Sequence, residues 1–262
     1  MARKKVKTKD LKKQRWAAIV AGILAFGMLA SVVGVYLSQA AGGRGPLLPD
    51  QPADPQPEDY LSYYESEVER LEEYLEEQDP NPAVLLELAE NYRYLTFIQQ
   101  AFFNNEEAIS GYRDRMVFIY RTLVELEPDD PGYRLEYLRV LLEEDGYDRQ
   151  VAEEIAVLRE MLAEEPDPLV HLSLIGLLQN AGKEDMYQEE LEELRGYLEE
   201  KLTAGTADNE ERFYYAVLLG EYLDDPAAAG EILDHVLEEE NPDSWIYREA
   251  ENYRSYLLPD ND

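Results

Sequence analysis

The sequence predicts an all-α protein: a helical-hairpin solenoid of about four repeats with capping helices, set behind one N-terminal transmembrane helix. Three observations predict it. Trp16 to Leu37 is a run of 22 residues without a charge. From Tyr60 onward the chain is almost continuously amphipathic at helical period, with no sustained alternation of β-branched residues. Prolines close the helical segments at a fixed interval.

The apolar run WAAIVAGILAFGMLASVVGVYL would make a helix about 33 Å long, enough for a hydrocarbon core of about 30 Å. Trp16 and Tyr36 lie near its ends, where aromatic rings favour the membrane interface. Residues 1–15 carry a net charge of +7, which predicts a cytoplasmic N-terminus and places the rest of the chain outside. The lipid bilayer is thus the partner of residues 16–37. A secreted form cleaved after Ala40 is the alternative, because Ser38-Gln39-Ala40 has small residues at a signal-peptidase spacing. The run is longer than the usual signal core of about 7–15 residues, which favours a retained anchor.

Residues 38–58 read as a Pro/Gly-rich linker. Pro46, Pro49, Pro52 and Pro55 recur every third residue, the period of a polyproline II helix. That part predicts a semi-stiff spacer, and Gly42-Gly43 ahead of it a swivel.

Residues 59–262 form the helical domain. Pro128 and Pro166 are 38 residues apart, and Pro242 follows after 76, twice that interval. The mark missing near 204 falls at Gly205. Nine and five residues before each proline stand Ile119 and Leu123, Val157 and Met161, Leu233 and Leu237. The same offsets before Pro80 give Leu71 and Leu75, and a spacing of four puts each pair on one helix face. Predicted first helices are 83–97, 132–144, 168–180 and 209–223. Predicted second helices are 106–127, 148–164, 184–202 and 226–240. A leading helix, 60–78, precedes them, and 244–257 caps the array. The spacing of Leu61, Tyr64, Val68, Leu71 and Leu75 suits packing of the leading helix on the first repeat better than a dimer seam.

The segments FIYRTLVELEPDD and AGEILDHVLEEENPDS resemble the second helix and closing proline of tetratricopeptide repeats. AVLLELAENY resembles the first helix, with Leu88-Ala89 and Tyr92 at the family's large-small-aromatic positions. The period departs from the family's 34 residues. The resemblance implies a bacterial, single-span, membrane-anchored repeat protein that binds other proteins. Tetratricopeptide domains that clamp acidic peptide termini use Lys and Asn on first helices. Here only Lys183 and Lys201 follow the span, neither on a first helix, which argues against that mode.

Residues 16–262 sum to a charge of −40, so nucleic acid and anionic lipid headgroups are disfavoured partners. A neutral or basic extracytoplasmic protein or peptide fits better. There is no cysteine, which removes disulfides, thiolate metal sites and cysteine nucleophiles. No phosphate loop, zinc pattern or nucleophile elbow occurs, so no catalytic residue, cofactor or metal is assigned and an enzyme is not expected. His171 and His235 read as satisfied or surface histidines. Pro80 to Pro128 spans 48 residues, ten beyond the period, and the surplus is rich in Phe. Phe102 and Phe103 there are candidates for an exposed apolar contact. Tyr-Arg dipeptides recur, and Tyr92, Arg93, Tyr133 and Arg134 are candidates to line a binding groove. The alternative to a binding scaffold is an acidic envelope spacer without a specific ligand.

The orientation is testable. Protease added to intact cells should degrade residues 59–262. Protection that ends only on lysis would reverse the orientation.

Overall fold

The computed structural model describes residues 56–144 and 146–258. The basic tail, the expected membrane span and the linker up to residue 55 lie outside the described residues. Within them the chain is all-helical: ten α-helices, two short π-helical segments and no strand. In order these are α1 (Pro57–Glu77), α2 (Pro82–Ile98), a π segment (Gln99–Phe103), α3 (Glu106–Leu126), α4 (Pro131–Leu142) and α5 (Asp148–Glu164). Then follow α6 (Pro168–Asn180), α7 (Glu184–Ala204), α8 (Asn209–Val217), a second π segment (Leu218–Tyr222), α9 (Pro226–Glu239) and α10 (Trp245–Leu257). The first helix begins at Pro57, so the last two residues of the expected linker are helical.

The helix starts share one chemistry. Asn81, Asp130, Asp167 and Asp225 each accept a backbone N–H of the first turn with the side chain, and each is followed by proline. The side chain satisfies an orphan donor, and proline supplies a preset φ where no N–H is needed. With the prolines that close the preceding helices, the turns read Pro80-Asn81-Pro82, Pro128-Asp129-Asp130-Pro131 and Pro166-Asp167-Pro168. One proline stops a helix and the next starts another. Where the closing proline is missing, Gly205 ends α7 at φ +68, a left-handed turn that a Cβ would strain.

The chain divides into two compact units, one ending at Met161 and the other starting at Leu162, within α5. In the first unit α1 packs on α2, α2 on α3, and α3 on α4. Its core holds Leu71, Leu88, Ala89, Leu95, Ile109, Met116, Leu123, Leu138 and Leu158, all nearly inaccessible. Ala89 is small enough to let neighbouring helices approach. In the second unit α6 packs on α7, α8 on α9, and α9 on α10, around Leu174, Ile175, Leu178, Leu194, Leu218, Leu233 and Val236. Half of the face-pair residues before the closing prolines are buried, Leu71, Ile119, Leu123 and Leu233, whereas Leu75, Val157, Met161 and Leu237 are half-buried. In α5, Val151, Ile155, Leu158 and Leu162 are the buried residues instead.

Asp167 is the clearest cap, accepting from Leu169 N at 3.0 Å and Val170 N at 3.2 Å. Asp167→Ala should lower stability by about 1 kcal/mol, the usual worth of such a cap. Urea melts followed by far-UV circular dichroism would measure it, and an unchanged midpoint would deny the cap its role.

Candidate partner-binding surface

The ten-residue surplus in the first hairpin does not simply lengthen two helices. At Gln99 the α-helical ladder widens to π, and Asn104 N donates to Gln99 O at 2.6 Å, five residues back. Asn104 then turns left-handed at φ 51, ψ 44, a conformation that Asn tolerates better than most residues. Asn105 caps α3 by accepting from Ala108 N at 3.3 Å. This sequence of turns sets Phe102 and Phe103 facing solvent, with 50% and 37% of their surface accessible. Phe118, on α3, is 54% accessible and lies under Arg121, whose guanidinium carbon is 5.4 Å from its ring centre. Behind the tip, Gln99 is buried, and its Oε1 has no hydrogen-bond partner among the described residues.

The other sequence candidates are engaged inside the unit. Tyr92 is buried and its hydroxyl donates to Glu72 at 2.6 Å. Burial, together with that carboxylate, holds its phenol well above the ordinary range. Arg93 donates to Glu136 at 2.7 Å and to the Tyr120 hydroxyl at 2.9 Å. Arg134 donates to Glu154 at 2.8 Å and to the Pro128 carbonyl at 3.1 Å. Tyr133 is half-buried. Of the six candidates, Phe102 and Phe103 are thus the exposed pair.

Arg93 opens a ladder of alternating charge that sequence inspection did not find. Glu136 accepts from Arg93 and from Arg139 (3.1 Å). Arg139 also donates to Glu143 at 2.6 Å, Arg113 lies 3.7 Å from Glu143, and Arg113 donates to Glu144 at 2.8 Å. The ladder ties α2, α3 and α4 together at their polar edges. Burial alone would raise the Glu136 carboxyl, but Arg139 and Arg93 outweigh it and hold the group below the usual carboxylate range. Tyr120, enclosed beside it, is pushed up to about 12, chiefly by burial. Arg93 and Glu136 stand 43 residues apart, so no local pattern announces their pairing.

A cleft of about 330 Å³ opens in the same unit between α3, α4 and α5. Val124 and Tyr137 line it together with Glu125, Glu153 and Glu154. Each of these carboxylates already has an arginine: Arg121 at 4.0 Å, Arg149 at 2.8 Å and Arg134 at 2.8 Å. In the second unit His171, Glu190 and Glu193 form a separate cluster of groups able to ligate a cation.

No family model matches the chain, and neither the curated proteins nor the solved structures give a match.

The ladder makes Glu136 a source of stability. Glu136→Gln leaves the arginine donors short of charge and should cost about 2 kcal/mol at neutral pH. A carboxylate held low stabilises the fold above its unfolded pKa, about 4.3, and loses that contribution as pH falls through the lower folded value. The gap between wild type and variant should therefore narrow below about pH 4. Equilibrium denaturation at several pH values would show it, and a pH-independent gap would contradict it.

Proposed function

We propose that this chain is a membrane-tethered scaffold whose tetratricopeptide-like helical array binds an extracytoplasmic protein. In this reading residues 16–37 hold the protein in the bilayer and the Pro/Gly-rich stretch gives it reach. Secretion and envelope assembly are the settings that resemble this layout. The observation that carries the reading is the exposure of Phe102 and Phe103 on the π turn. Two phenylalanines on a highly acidic surface leave much of their apolar area in water from that position. Aromatic side chains are also the usual anchors of interfaces. The cleft offers a partner no free carboxylate, because Glu125, Glu153 and Glu154 each stand beside an arginine of the same unit.

The spacer reading has its own support. Tyr92, Arg93 and Arg134 are engaged in internal bonds, as a purely structural acidic module would have them. The two readings separate on one experiment. A photocrosslinking residue placed at position 102 of the full-length protein in intact cells should join it to a discrete envelope protein. Phe102→Ser with Phe103→Ser should reduce recovery of that protein about tenfold or more, the scale of a lost hot spot, with the circular dichroism unchanged. Equal recovery with and without the phenylalanines would favour the spacer.

A further inference from the structure

We infer that His171, Glu190 and Glu193 form a binding site for one divalent transition-metal cation of the Zn²⁺ type, built into the α6–α7 hairpin of the second unit. His171 lies in the first turn of α6, fixed by the Asp167 cap and Pro168. Glu190 and Glu193 are three residues apart on α7, so they share one helix face. His171 Nε2 stands 2.8 Å from Glu190 Oε2, and one ligand atom from each of the three residues falls within 4.8 Å of the others. A zinc ion bonds imidazole nitrogen and carboxylate oxygen at about 2.0–2.2 Å, which puts tetrahedral ligands about 3.3 Å apart. The His171–Glu190 pair needs to open by about half an ångström, and Glu193 needs to close in by a rotamer adjustment on a free surface.

The chemistry of the set selects the cation. One imidazole with two carboxylates suits zinc and its neighbours, whereas calcium and magnesium prefer sites made wholly of oxygen. Three protein ligands leave a fourth position for water, the arrangement of an open rather than a sealed zinc site. Accessibility is graded in a way that suits entry. Glu190 is completely buried, His171 is 6% accessible, and Glu193 faces solvent. The ion would meet Glu193 first and then insert between His171 and Glu190. The surroundings add a reason. This hairpin buries Leu172, Leu174, Ile175, Leu191 and Leu194, and a hydrophobic pair in place of His171 and Glu190 would be neutral or stabilising in most cores. A histidine and a glutamate facing each other there are thus better explained by a ligand than by stability.

The test uses the full-length protein in detergent micelles, stripped with EDTA and titrated with ZnCl₂ by calorimetry. The buffer holds salt near ~0.15 M and millimolar MgCl₂, so that the acidic surface is already screened and saturated with a hard cation. The site predicts one equivalent of Zn²⁺ that Mg²⁺ does not displace, together with a zinc-dependent rise in Tm. Glu193→Gln and His171→Gln should each weaken binding about tenfold or more. Glu193 is exposed, so its variant should keep the metal-free Tm of the wild type, and it alone decides the matter if His171→Gln unfolds. Zinc that Mg²⁺ removes completely, or that binds Glu193→Gln as tightly as wild type, would be a counter-ion of the acidic surface and would overturn the site.

Discussion

Everything in this structure works against self-repulsion. The chain carries 57 acidic residues against 24 basic ones, and eight of the basic residues precede the apolar run. A compact array of helices at that charge needs its remaining cations placed between elements rather than scattered outside. The ladder from Arg93 to Glu144 does this in the first unit, and Arg134 does it again between α4 and α5. The choice of residue follows from the task. Beyond the apolar run there are 14 arginines and two lysines. A guanidinium offers several donors in a rigid fork, so Arg139 holds Glu136 and Glu143 together, and Arg93 holds Glu136 and Tyr120. A lysine presents a single compact charge and would join fewer partners with less directional control. The exposed pairs within one helix, such as Arg149–Glu153 and Arg195–Glu199, contribute little by comparison.

The helices were legible in the sequence because their signals are local. Caps, prolines and a four-residue apolar spacing all lie within one or two turns of the feature they specify. The ends of α5 and α6 match the sequence reading to the residue. The opening prolines at 82 and 131 went unused, so the expected starts at 83 and 132 fall one residue late, although such prolines mark helix starts as firmly as the closing ones mark stops. The Tyr-Arg dipeptides were harder to read. Adjacent residues on a helix point different ways. Tyr92 accordingly enters the core while Arg93 reaches across to another helix. Nothing within a few residues of Arg93 identifies Glu136 as its partner. Nor does anything near His171 identify Glu190, 19 positions later, although both are needed for the candidate cation site.

The π segments were the least legible part, because a five-residue hydrogen bond is selected by packing and not by composition. Both end the first helix of a hairpin: one follows α2, the other follows α8. They meet opposite fates. In the second unit the π segment is covered by the capping helix α10. A Cβ on Gly220 would fall 2.5 Å from the Tyr253 hydroxyl, so glycine is what allows that approach. Phe213 lies in edge contact with Trp245 and Tyr253 of the same helix. The first unit's π segment has Ala101 at the position of that glycine and ends in two accessible phenylalanines, Phe102 and Phe103.

That contrast bears on why exposed phenylalanines are tolerable in this protein. On a neutral surface, Phe102, Phe103 and Phe118 would invite association between copies. Here each copy carries a large charge of the same sign, and Glu106 and Glu107 follow the π turn directly. Two copies approaching through this tip must bring those carboxylates together, which raises the cost of self-contact without touching the aromatic rings. A neutral or basic partner meets no such barrier. In the proposed scaffold, the acidity that burdens folding would thus filter what reaches the phenylalanines.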